Sequence, residues 1–415
     1  MPRRRSRMIV LTENIFMRIE ILKRSAVMLY LTVVFSVFTI AQNTTSTLTG
    51  TTSDSDDILP GAVVKLTEVE SGITYSAISN QKGQFRITGL TPGGPYRLEV
   101  SYVGHKKSVI DIKRISLGEV YSCNVELTTG NELQEVIVKG QAAALRKTGS
   151  SESISAEDID NKATVDRTLQ DILAMSPYYI GSGSFGGRDG GMNNYSIDGA
   201  NFNANMGLDR EKMPGAGTPF ALEALEDIQI VNSAFDVKNS NFMGATINAV
   251  TKKGTNTFRG SAYHFYKDES LRGNRVDGEE LTSPRGDIKR TIYGLTLGGP
   301  IIKDKLFFFV SAELENTPLQ LHQWQASKDG VEDGKNLISR VTESDMKQFA
   351  SDLQSMYGWN PGSYNDFTGD NKFFRLMTRI DWNISKYHKL TLRYNQTNGK
   401  KDNSYSSPGM GMNDG

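Results

Sequence analysis

Four histidines, one cysteine and one acidic cluster are the obvious chemical groups of this chain, and their spacing argues against each use. His105, His264, His322 and His388 are scattered over 415 residues and have no Ser/Asp or paired-carboxylate company. A His-based metal cluster and a hydrolase site are therefore both disfavoured. Cys123 stands alone, which excludes an intrachain disulfide framework and a cysteine-rich zinc site. Asp54, Asp56 and Asp57 lack the glycine and the distal glutamate of a calcium loop, so a solvated hairpin turn is the better reading. Gly181, Gly183 and Gly186 spell GxGxxG, but further glycines and Asn193-Asn194 follow where a dinucleotide fingerprint needs a helix. Flexible glycine lining a narrow space fits that stretch better. No catalytic residue, metal or cofactor is expected.

Recognition is the chemistry that remains. Arg188, Asp189, Asn201, Asn203 and Asn205 lie in glycine- and asparagine-rich loops and are candidates to face a ligand. Leu133-Gln134-Glu135-Val136-Ile137-Val138 is a short β-prone segment between polar flanks. It reads equally as the last strand of the preceding domain or as an exposed strand that a partner captures through main-chain hydrogen bonds.

The elements that must position these groups are mostly strands. Lys+Arg and Asp+Glu both number 47, so no global charge favours nucleic acid. Arg18, Lys23 and Arg24 precede an apolar run from Ala26 to Ala41, and a polar segment opens at Gln42. This is the pattern of a signal peptide over residues 1–41, cleaved between Ala41 and Gln42, with Met17 well placed as the start. An uncleaved single-span anchor is the competing reading. Residues 42–128 predict a β-sandwich: short alternating strands such as YRLEVSYV are separated by turns at Pro60-Gly61, Lys82-Gly83 and Pro92-Gly93-Gly94. Residues 129–147 read as a linker.

Residues 148–256 predict an α+β unit. Ser155 to Asp158 resembles a capping box, and Thr164 is expected to cap a helix carrying Val165, Leu169, Ile172 and Leu173. Asp198-Gly199 marks a turn. Thr218-Pro219 is expected to open another short helix with Leu222 and Leu225 on its apolar side. Strands follow at Ile228, Ile230 and Thr246 to Val250, with Gly244 between them and Gly254 at the end. From 257 to 415 the strands alternate over long stretches: Leu306, Phe308, Val310, Ala312 and Leu314 oppose Phe307, Phe309, Ser311 and Glu313. An apolar lipid face and a charged lumen explain this pattern. Phe373, Phe374 and Trp382 near strand ends suit interfacial girdles, and Asn316 to Asn371 reads as an extracellular loop.

Two stretches carry a resemblance. LPGAVVKLTEVESG and SNQKGQFRITGLTPGGPYRLEVSYVGHK resemble the carboxypeptidase regulatory-like domain, a prealbumin-like sandwich. YSIDGANFN and LEALEDIQIVNSAFDVKNSNFMGATINAVTKKGTNTFRGSAY resemble the plug and first strand of TonB-dependent receptors, most of all the Oar-like subgroup. The resemblance implies a Bacteroidetes-type outer-membrane receptor that passes a ligand across the membrane. Leu133 to Val138 would then be the TonB box, Asp198, Gly199, Gly244 and Gly254 would be plug-motif positions, and TonB, outer-membrane lipid and an extracellular ligand would be the partners. About five strands are countable after residue 256, whereas plug-holding barrels have about 22. A longer protein is therefore expected. A secreted or surface-attached sandwich that binds glycan or peptide is the alternative.

Overall fold

The computed structural model describes residues 44–55, 57–130, 136–137, 150–164, 166–181, 183–203, 218–232, 243–271, 273, 275–280, 289–320, 325–334, 338–362, 368–369, 371–385 and 388–401. The expected leader, the Ala41–Gln42 cleavage site, Leu133 to Glu135, Val138, Val165 and Asn205 lie outside the described residues.

The first unit is a sandwich. Its strands are β1 (Ser46–Ser53), β2 (Val63–Glu68), β3 (Thr74–Ile78), β4 (Gln84–Leu90), β5 (Tyr96–Ser101), β6 (Ser108–Ile112), β7 (Val120–Ser122), β8 (Val125–Glu126) and β9 (Val136–Ile137). One sheet runs β4-β1-β7, with β8 also on β1, and the other runs β3-β2-β5-β6-β9. Alternation decides the faces: Tyr96, Leu98 and Val100 of β5 are buried while Arg97 points outward. Leu48, Leu66, Phe85 and Ile110 join them in the core. The expected turn at Lys82-Gly83 forms because the Asn80 side-chain oxygen accepts from the amides of Lys82 (2.9 Å) and Gln84 (3.0 Å), and Gly83 supplies the left-handed residue. Cys123 is buried, and burial pushes its thiol up to about 11.

The second unit contains β10 (Ser151–Ser155), α1 (Ala156–Asn161), α2 (Leu169–Leu173), β11 (Tyr179–Gly181), β12 (Ser184–Phe185), β13 (Asn194–Ile197), β14 (Ala200–Asn201), β15 (Leu225–Val231) and β16 (Thr246–Thr251). Five strands form a sheet in the order β10-β15-β16-β13-β14, in which β13 and β16 are parallel. Ile154, Ile228, Ile230, Ile247 and Ala249 share a core with Ile159 and Ile172 of the helices.

The capping box at Ser155 forms as expected, with the Ser155 hydroxyl and Asp158 carboxylate exchanging bonds with backbone amides. Two other helix starts fall elsewhere. The second helix is capped by Thr168, not Thr164, and its box partner is Asp171. Thr168 prevails because only it has an acidic residue three positions on that reaches back to its own amide. Thr218 caps no helix. Its hydroxyl accepts from the Leu169 amide (3.2 Å), and a single 3₁₀ turn, Leu222–Ala224, follows without a side-chain cap. Leu225 then opens β15 rather than lining a helix.

The third unit is an antiparallel meander of β17 (Arg259–Lys267), β18 (Arg290–Ile302), β19 (Leu306–Asn316), β20 (Asn371–Asn383) and β21 (Lys389–Lys401). It is open, not closed into a barrel, over the described residues. Phe307, Phe309, Ser311 and Glu313 are buried against the second unit, whereas Tyr293, Leu295, Leu314, Leu390 and Leu392 are exposed on the other side. Phe373 departs from its expected place. It is buried on the inner face, 5.0 Å below the Arg375 guanidinium, because its position in β20 has the parity of Arg375. It cannot belong to a girdle facing lipid. Between β19 and β20 lies α3 (Glu343–Tyr357), a helix the loop reading missed, with a Thr342–Asp345 capping box and Gly358 at its left-handed end.

Candidate functional site

The second unit is held on the inner face of the open sheet by arginines. Asp198 follows β13 with φ of 51° and Gly199 with φ of 84°, a two-residue turn in which both positions are left-handed. That turn aims the Asp198 carboxylate at β16, where it accepts from the Thr251 amide (3.0 Å) and hydroxyl (2.7 Å). Arg393 of β21 reaches the same carboxylate at 3.2 Å, and Arg379 of β20 lies at 3.8 Å. Arg379 also donates to the Thr251 carbonyl (2.8 Å). Further along the sheet, Arg375 donates to the Thr218 carbonyl (2.5 Å), and the Thr397 hydroxyl donates to the Pro219 carbonyl (2.6 Å). The charge on Arg375 is balanced by Glu313 and Glu315, both at 2.7 Å.

Two glycines mark close approaches. A side chain at Gly244 would meet the Asn193 side-chain oxygen, which accepts from the Ala245 amide (2.9 Å) in a fully buried setting. A side chain at Gly254 would meet the backbone of β18 and β19: the Phe308 carbonyl, the Gly299 carbonyl at 2.8 Å and the Phe308 amide at 2.9 Å. The chain therefore passes directly over the sheet at Gly254 before entering β17.

The loop candidates are placed on the second unit and largely engaged by it. Arg188 donates to the Met243 carbonyl (2.7 Å), and Asp189 accepts from the Gly191 amide (2.7 Å). Both residues are exposed. Asn201 accepts from the Asn203 amide (2.7 Å), and Asn203 bridges the Tyr195 amide (2.9 Å) and the Asn194 side chain (2.6 Å). The structure does not gather these four into one cluster. Val136 and Ile137 pair in parallel with Ser108 and Val109 at the edge of the sandwich.

The first unit is fastened to the second by buried charge. Asp227 of β15 is fully buried, and its carboxylate accepts from Ser153 of β10 (2.6 Å), from Arg114 (2.9 Å) and from the Leu117 amide (3.1 Å). Burial pushes its carboxyl up, against the opposing effect of the Ser153 and Arg114 bonds. Glu68 of the sandwich, also buried, receives Lys253 at 2.6 Å and Ser71 at 2.6 Å. Gln229 packs where any side chain at Gly118 would stand.

Comparison with known proteins agrees with this arrangement. Residues 47–128 match the carboxypeptidase regulatory-like domain, and residues 250–323 match an outer membrane beta barrel domain. The TonB-dependent transporter Oar of Myxococcus xanthus is 24% identical over 382 residues, which is 85% of this chain and 33% of that protein. Over that length the chain is similar to a TonB-dependent transporter. It spans a third of the length of that relative. Among solved structures, the outer membrane transporter YddB from Escherichia coli is 16% identical (TM-score 0.41), covering 61% of this chain and 33% of that one. The siderophore receptor PirA from Pseudomonas aeruginosa is 15% identical (TM-score 0.36), covering 61% and 36%.

The match at residues 250–323 makes that part of the open sheet outer-membrane barrel wall, and the apolar side chains on its exposed face suit lipid. Sequence reading expected a charged lumen but did not single out Arg375 and Arg379. It missed Asp227 and Arg114 altogether. The available signal for Asp227 was a lone acidic residue inside an otherwise apolar strand, LEDIQIV.

Proposed function

We propose that this chain supplies the sandwich, the gate and the opening wall strands of an energy-coupled transporter that passes a ligand across the outer membrane. TonB would engage Leu133 to Val138, and the plug of residues 148–256 would be the gate. The observation that carries this reading is the nature of the plug's attachment. Its anchors to the wall include hydrogen bonds from Arg375, Arg379 and Thr397 to backbone carbonyls. Such bonds can be exchanged for bonds to water at modest net cost, about 1 to 3 kcal/mol each, so a plug held this way can shift without unfolding. Arg188 and Asp189, exposed at a plug loop, are where a ligand would meet the gate. No catalytic role enters this reading.

The test has two parts. Envelope fractionation with antibody against residues 148–256 should give a heat-modifiable outer-membrane band. Val136→Pro, which removes a backbone donor from the segment, should abolish co-purification with TonB and energy-dependent transport while leaving membrane insertion unchanged. Undiminished TonB binding by the proline variant would refute the assignment of the box. A soluble secreted product would leave the sandwich-binding alternative standing.

A further inference from the structure

Residues 131–149 join the sandwich to the plug in the sequence, so anything that draws on this segment loads both units at once. The two flanks meet at one group. Arg114 and the Leu117 amide come from the sandwich, Ser153 comes from β10, and all three donate to the carboxylate of Asp227. Arg114 also donates to the Glu226 carbonyl at 2.8 Å, which fixes its fork along β15. Among the described residues β10 is an edge strand of the plug sheet, paired to β15 from Ser151↔Val231 to Ser155↔Asp227. If the sandwich yields, Asp227 loses Arg114 and Leu117. If β10 yields, it loses Ser153. Either way a fully buried carboxylate is stripped of a donor, and the other donors resist that loss.

We propose that Asp227 and Arg114 form a latch between the sandwich and the plug, and that this joint sets the load at which the gate is released. The proposal rests on the reading above that the intervening segment is pulled. The close approach at Gly118 supports a fitted joint rather than a loose tether, since a side chain there would collide with Gln229. A second buried contact, Lys253 with Glu68, holds the other side of the sandwich, and Arg259 adds Glu70 at 2.6 Å. Charge on each partner is thus answered across the joint, which explains why Asp227 and Glu68 tolerate full burial.

Force spectroscopy on the full-length receptor in membranes tests the latch without requiring transport. A handle is attached at Ala143→Cys, with Cys123→Ser as background. At fixed load, Arg114→Ala should raise the rate of the first rupture by about tenfold or more, since its hydrogen bonds to both Asp227 and Glu226 are lost. Asp227→Asn, which keeps a hydrogen-bonding group of the same shape, should raise it less. Lys267→Ala, which removes a plug contact to the wall at Asp166 (2.7 Å), should leave that event unchanged. Later unfolding of the sandwich at its wild-type load shows that the variants fold. Equal first-rupture rates in wild type, Arg114→Ala and Asp227→Asn would overturn the latch. A latch that ruptures as expected in a protein that never binds TonB would instead overturn the transport reading alone.

Discussion

Arg393 and Asp198 meet at 3.2 Å, joining the last described wall strand to the tight turn of the plug. The carboxylate they share with Arg379 and Thr251 is nearly inaccessible to solvent, with 4% of its side chain exposed. Its removal takes a carboxylate from Arg393, whereas Arg379 keeps Asp381 at 2.7 Å. Asp198→Ala is therefore expected to loosen the plug by about 3 kcal/mol, in the range for a broken buried pair. Hydrogen exchange checks this: amides of β13 and β16 should lose protection while those of β5 in the sandwich keep it.

Gly254 has backbone on the side where a side chain would project. Gly254→Ala should therefore push the plug's exit away from β18 and β19, and assembly should suffer more than it does in Gly104→Ala, where the added atom meets open space. Heat-modifiable migration in gel electrophoresis reads the difference. Both glycines being replaced by the same residue, helix or strand propensity cannot account for it. Gly104 has φ of 80°, so its substitution carries its own backbone strain and is the harsher control.

His105 donates to the Asp54 carboxylate at 3.0 Å, and this bond, followed by its contact with the Val103 carbonyl, raises the imidazole's affinity for a proton. A group whose folded pKa lies above its unfolded value stabilises the fold below about 6.5, its ordinary value. That contribution is lost as pH rises through the folded value. The sandwich melting transition should fall between pH 5.5 and pH 8.5 by more in wild type than in His105→Gln. Identical pH dependence in the two proteins would remove the Asp54 pair from the account.

Thr168 and Thr164 give opposite expectations although they look alike in the sequence. Thr168→Ala removes the observed cap and should cost about 1 kcal/mol. Thr164→Ala touches no cap and should stay within about 0.5 kcal/mol. Denaturant titration followed by hydrogen exchange at Ile172 distinguishes them.

The legible parts of this protein were those written in local patterns. Alternation from Leu306 to Leu314 set the two faces of β19, and Asp198-Gly199 announced its turn. The capping box at Ser155 was complete within four residues, and it formed. Thr164 misled because a threonine before an apolar residue is half of a signal, whereas Thr168 with Asp171 is the whole of it. α3 went unread although Met346, Phe349, Leu353 and Met356 fall at helical spacing, because it lies inside a long polar segment read as loop and none of its residues is buried. The Arg114–Asp227 contact spans 113 positions, and neither residue carries a local mark of its partner. Asn201 and Asn203 were read as ligand-facing from their place in an asparagine-rich loop, and their side chains also brace that loop.

Phe309 and Val310 are adjacent, yet one side chain packs toward the plug and the other does not. The wall is consequently governed by parity. Loss of one residue between Leu306 and Asn316 would turn Glu313 and Glu315 toward hydrocarbon and carry Leu314 inward, away from the guanidinium that those carboxylates neutralise. Loss of two residues would restore every side chain to its own solvent and shorten the strand by about 7 Å. Even-numbered changes in these strands should therefore be survivable where odd-numbered ones are not. The long connection between β19 and β20, which alternates between no such pair of solvents, is exempt from the rule and open to insertions of any length.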